Sequence, residues 1–113
     1  MLRQRLWFLL SLAPASVHAQ DPLIMRIQAV APSVYVISGF TNGNLLAVVG
    51  TQSVLLVDGQ SEKRVALADS ALRTVTDLPV RTLINTHYHD DHIGGNPYWR
   101  SRGATIIGQR NLP

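Results

Sequence analysis

The chain has 113 residues, 46% hydrophobic and 15% charged, with eight Gly and six Pro. That composition suits one small globular domain, excludes a charge-rich disordered tail and leaves no room for a second full domain. The formal charge of +3 falls to +1 without the first 19 residues, which hold Arg3 and Arg5 and no acid, so no basic block remains to track a phosphate backbone.

The N-terminus reads as a targeting segment. Arg3 and Arg5 supply a positive start, an apolar stretch opens with Leu6-Trp7-Phe8-Leu9-Leu10, Pro14 breaks it, and Val17-His18-Ala19 precedes Gln20. This is the layout of a secretory signal peptide over residues 1–19, cleaved after Ala19. The apolar core is about eight residues against the roughly 20 a membrane span needs; an uncleaved anchor or a buried first helix are the alternatives. The mature chain from Gln20 is then expected in a periplasm or secreted, with no stable membrane anchor after cleavage. There is no Cys, so no disulfide staples the fold and no thiolate serves as nucleophile or metal ligand.

Elements follow in order. Met25 to Ala31 forms a weak first strand, and Val34 to Ile37, rich in β-branched and aromatic residues, a second. Asn42-Gly43 marks a turn. Leu45–Val49 and Ser53–Val57 are a third and a fourth strand, and the four read as an antiparallel meander. The unbroken apolarity of the middle strands suggests that both their faces are covered. The period then changes: Val65, Ala68, Leu72 and Val75 share one face of a helix from about Glu62 to Val75, with Ser61 placed to cap it and Glu62 suiting its positive end. Val80 to Asn85 is a fifth strand. A His/Asp-rich loop runs from Thr86 to Asn96, Pro97 to Ser101 gives a helical turn or two, and Thr105-Ile106-Ile107 begins a sixth strand.

The chemistry concentrates in that loop. His87, His89 and His92 fall within six residues, with Asp90 and Asp91 among them. If residues 87 and 89 leave the strand extended, their side chains point the same way and share one metal. Past the bend, Asp91 and His92 face a neighbouring point. Imidazole and carboxylate without thiolate suit Zn²⁺, and also Fe²⁺ or Mn²⁺. A polar surface loop with histidines capping backbone groups is the bland alternative. Gly94-Gly95 suggests a close approach or a positive φ, or a plain turn. Asp58 ends the fourth strand, where it can fix a ligand histidine through its second nitrogen or only start a turn. Tyr88, Tyr98 and Trp99 line an entrance or, for Tyr98 and Trp99, pack the short helix.

The run Asn85-Thr86-His87-Tyr88-His89-Asp90-Asp91-His92-Ile93-Gly94-Gly95-Asn96 resembles the signature of the metallo-β-lactamase fold hydrolases, and the likeness covers roughly residues 25–110. It implies an α+β fold, the family's αβ/βα four-layer sandwich, represented here by its N-terminal half over residues 20–113. It implies two zinc ions per intact domain, with His87 and His89 at the first and Asp91 and His92 at the second. Asp91 would also handle protons, and Asp58 would be the family's buried aspartate behind the ligands. Gly94, Gly95 and Tyr88 would form loop or pocket wall. Gly59-Gln60 departs from the pair that usually follows that aspartate.

The activity implied is hydrolysis of a small-molecule substrate, a metal-bound hydroxide attacking the carbonyl of a β-lactam, ester, lactone or thioester. Nucleic-acid substrates are disfavoured by the export signal and the low charge. The family's later ligands have no counterpart, since no histidine follows His92 and no acid follows Asp91. That implies a truncated domain, with the sheet face meant for the second half exposed and open to self-association. The alternative function is a catalytically incomplete fragment, or a periplasmic metal-binding or interaction module.

Overall fold

The computed structural model describes residues 24–39 and 43–112; the expected signal segment, residues 1–19, and Asn42 of the expected turn lie outside the described residues. Short β-branched runs form strands β1 (Arg26–Ala31), β2 (Val34–Ser38), β3 (Leu45–Val49) and β4 (Val54–Val57), and the chain continues through α1 (Val65–Leu72), β5 (Val80–Ile84), α2 (Asp90–Ile93), α3 (Asn96–Ser101) and β6 (Thr105–Ile107). The strands lie in sequence order in one six-stranded sheet. β1 to β4 pair antiparallel, as the expected meander requires. β4–β5 and β5–β6 are parallel, because a helix-containing crossover returns the chain each time to the same end of the sheet.

One face carries the core. Ile37, Leu45, Ala47, Leu56 and Leu83 pack there against Val65, Ala68 and Leu72 of α1 and Trp99 of α3. Among the described residues the other face is only partly covered, short of the expectation from unbroken apolarity. Burial alternates along β3 and β4, and Val48 and Ile107 are exposed large apolar residues. Continuous apolar sequence marks a face suited to burial; among the described residues both α1 and α3 pack on the opposite one.

The helix is shorter than its period suggested. Residues 62–64 and 73–75 form turns flanking α1, and Ser61 makes no side-chain cap. Its backbone carbonyl instead accepts from the N–H groups of Arg64 and Val65, at 3.1 and 2.9 Å. At the far end Arg73 donates to Asp69 and to the carbonyls of Thr76 and Leu78, which fastens the chain before Pro79 redirects it into β5. Among the described residues no helix is long and apolar enough to cross a membrane.

Candidate metal centre

The parallel pairing of β4 with β5 sets Val57 beside Ile84, so Asp58 and the Asn85-Thr86-His87 segment leave the sheet side by side. The Asp58 N–H donates to the Ile84 carbonyl at 2.8 Å. Asp58 is 5% exposed and takes a left-handed backbone, φ 66°. A non-glycine residue held there costs about 1–2 kcal/mol, a cost the surrounding hydrogen bonds must offset.

Those bonds organise two histidines. Asp58 Oδ1 accepts from the Thr86 N–H at 2.8 Å, and Oδ2 accepts from the Thr86 hydroxyl at 2.8 Å and from His92 Nδ1 at 2.8 Å. The Thr86 hydroxyl also lies 2.9 Å from His87 Nδ1. A carboxylate only accepts and a hydroxyl has one proton to give. Thr86 therefore donates to Asp58 and accepts from the Nδ1–H of His87. Both His87 and His92 then carry their proton on Nδ1 and present Nε2 as a bare donor atom for a metal. One buried carboxylate fixes both tautomers, His92 directly and His87 through Thr86.

The remaining ligand candidates close on these rings. His87 and His92 have centroids 4.0 Å apart, and His87 Nε2 is 3.1 Å from His89 Nδ1. His92 Nε2 lies 3.5 Å from Asp91 Oδ2. Helix α2 makes the last contact; its first turn carries Asp90 and Asp91 and its last residues include His92, so neighbours that would diverge in a strand border one point. Asp58, His87 and His92 each offer a ligand atom within 4.8 Å of the others, a geometry for one metal ion. Both Asp58 oxygens are already engaged by protein donors, so orienting the ligands is its observed work. Asp58, His87, His89, Asp91 and His92 form one continuous cluster, and its chemistry, three imidazoles and carboxylates without sulfur, fits zinc.

Other expectations divide. Gly95 owes its identity to close approach: a Cβ there would stand 2.1 Å from the Gly59 carbonyl oxygen. No positive φ is involved, since Gly94 and Gly95 have φ of −58° and −80°. Tyr88 is exposed and edges against His89. Trp99 is core, its indole N–H donating to the Gly59 carbonyl at 3.0 Å, and the Tyr98 hydroxyl donates to Asp69; both pack. Three contributors escaped the sequence reading. Thr86 and Asn85 stood inside the motif but carried no metal-ligand signal. Asn85 pairs reciprocally with Asn96 and reaches the His92 carbonyl, holding the loop ends together. Gln60 was noted only as a departure from a family pattern.

Comparison with known proteins places the fold. A family model described as the metallo-beta-lactamase superfamily matches residues 38–108. Among solved structures, FIM-1 from Pseudomonas aeruginosa in its mono-zinc form superposes with a TM-score of 0.68 at 21% identity, covering 78% of this chain and 43% of that one. A metallo-beta-lactamase from Cronobacter sakazakii with a HARLDQ motif gives 0.68 at 20% identity, covering 75% and 35%. MEM-A1, a subclass B3 metallo-beta-lactamase from a soil metagenome, gives 0.64 at 24% identity, covering 74% and 32%. The chain thus spans less than half the length of each of these structures, and the likeness to them is one of fold.

Proposed function

The chain belongs to the metallo-beta-lactamase superfamily, and from that premise we propose that its described part is the metal-holding portion of a metallo-hydrolase site. His87, His89, Asp91 and His92 are the ligands, and Asp58 and Thr86 orient them. The observation that carries this reading is the convergence of the four side chains, with the His87 and His92 rings 4.0 Å apart, His87 Nε2 3.1 Å from His89 Nδ1 and His92 Nε2 3.5 Å from Asp91 Oδ2, and with the protons of His87 and His92 drawn to the far side of their rings by Thr86 and Asp58. A zinc ion held there supplies Lewis acidity towards water and a carbonyl oxygen. Asp91 is the group placed to hold a proton beside it, with Oδ2 at the rim of the cluster and a side chain 38% exposed.

Hydrolysis of an acyl bond is the lineage's reaction, and a β-lactam, ester, lactone or thioester is the substrate class. The solved proteins of the same fold carry β-lactamase names, and an exported chain meets small extracellular substrates. The chain's own residues supply at most two ligands to each of two metals. Metal binding is therefore the activity we assign to this chain by itself, as an incomplete site or a binding module, with hydrolysis requiring ligands it does not contain. Zinc content and turnover test the assignment together. The full chain should retain about one zinc ion, lose it in His87→Ala and His92→Ala, and turn over chromogenic β-lactams and esters hardly at all. Chelator-sensitive hydrolysis at an ordinary enzyme rate would overturn the incompleteness, and a chain that binds no zinc would overturn the metal site.

A further inference from the structure

Gln60 has the marks of a residue retained for more than packing. It is fully buried, and its backbone sits in the left-handed region at φ 70°. An amide in that position is costly unless its polar atoms are satisfied, and each of them is. Its side-chain oxygen accepts from the Ser61 N–H at 3.0 Å, and its backbone carbonyl accepts from the Gly95 N–H at 2.6 Å. Its side-chain NH₂ donates to the Gly43 carbonyl at 2.9 Å.

Gly43 is where this arrangement meets the metal cluster. Its N–H donates to Asp91 Oδ2 at 2.9 Å, the same oxygen that faces His92 Nε2. A Cβ on Gly43 would lie 2.6 Å from His92 Nε2 and 3.0 Å from Asp91 Oδ2. The backbone before β3 is thus pressed against two metal ligands, held by its carbonyl to Gln60 and by its N–H to Asp91. Without the Gln60 amide nothing in this set holds the Gly43 carbonyl, and the half-exposed Asp91 carboxylate loses a fixed donor.

We propose that Gln60 is a positioning residue that latches the Gly43 backbone onto Asp91 and His92, and so sets how tightly that edge of the cluster holds a metal ion. The proposal rests on the metal-site reading above. Gln60→Gly separates positioning from stability: it relieves the left-handed backbone while deleting the latch. Gln60→Met keeps the side-chain volume without the hydrogen bonds. The test measures zinc affinity by chelator competition, the cobalt(II) absorption spectrum, and amide exchange at Gly43, on the full chain and both variants.

In each folded variant the Gly43 amide should exchange faster and the cobalt spectrum should shift. Zinc affinity should fall by about 10-fold, the scale on which groups behind metal ligands act. Gly43→Ala, which presses on His92 with Gln60 intact, should also weaken zinc and covers the case in which a Gln60 variant fails to fold. Wild-type affinity and spectrum in a folded Gln60→Gly, or in Gly43→Ala when neither Gln60 variant folds, would overturn the latch while leaving the metal site standing. A wild-type chain that binds neither zinc nor cobalt would fail the metal-site reading itself, and the latch's metal role with it.

Discussion

At the scale of single residues, the site depends on where protons are parked. Asp58 can hold two histidines in one tautomer only because the Thr86 hydroxyl stands between it and His87. Thr86→Val keeps the shape and removes that relay. His87 Nδ1 then loses its acceptor, and the ring is free to turn or to move its proton to Nε2. Zinc affinity is expected to drop by about 10-fold or more, while His92, bonded directly to Asp58, keeps its orientation. Chelator competition combined with nitrogen chemical shifts of the two rings reads both effects, and a folded Thr86→Val with wild-type affinity would refute the relay. The histidines and Asp91 stood out in the sequence as candidate ligands because metal-ligating residue types at close spacing are rare without a reason. Thr86 and Gln60 were not, because threonine and glutamine serve many ends and only the fold shows which atoms they face.

At the scale of elements, helices α1 and α3 are joined at their outer edge by one polar knot. The Tyr98 hydroxyl donates to Asp69 Oδ2 at 2.8 Å, Arg73 pairs with Asp69 Oδ1 at 3.0 Å, and the Arg102 guanidinium lies 3.4 Å over the Tyr98 ring. Burial pushes the Tyr98 phenol above its ordinary value of 10.0, the hydrogen bond and charge of Asp69 push the same way, and Arg102 and Arg73 oppose them. The folded state therefore holds this proton more tightly than the unfolded one. The associated stability is fully present below about pH 10 and is lost as the pH rises through the raised folded value. Ultraviolet titration should show a tyrosine ionising above 10 whose transition Asp69→Asn moves downwards; an unmoved transition would mean that Asp69 does not set it. The knot also bears on how the helices were read. The sequence reading located α1 correctly but overran it at both ends, since Val75 continues the apolar pattern and Glu62 suits a helix start, while the Ser61 carbonyl and the Arg73 side chain mark where regular helix begins and stops. The single turn of α2 lacked enough residues to show any period, although it aims Asp91 and His92.

At the scale of the whole molecule, the succession of strands and helices, the antiparallel meander and the amphipathic helix were readable because each rests on local pattern, whereas the parallel placement of β5 and β6 was not. Which sheet face would be covered was not, because β3 and β4 are apolar on both sides and a period of two carries no signal there. Adjacent residues of β4 now separate the faces. Leu56 is fully buried under the helices, whereas Leu55 points to the half-covered side with Val57 and Leu46. That second face is an apolar surface of the kind that binds another surface or associates with itself. Lysine at position 56 places a charge in the core and should unfold the chain, at a cost above about 4 kcal/mol. Lysine at position 55, one residue away, should leave the fold and its melting transition nearly intact while reducing hydrophobic-dye binding and concentration-dependent sedimentation. If Leu55→Lys unfolds the chain as readily as Leu56→Lys, the second face is covered as well, and the sheet has two packed sides as the apolar pattern alone had suggested. If the two differ as expected, the metal cluster sits on the edge of a sheet packed on one side only, its ligands held by the strand ends of β4 and β5 and by the bonds from Asp58, Gln60 and Asn85. Metal binding should then survive Leu55→Lys unchanged, since none of those groups is Leu55 or is hydrogen-bonded to its side chain.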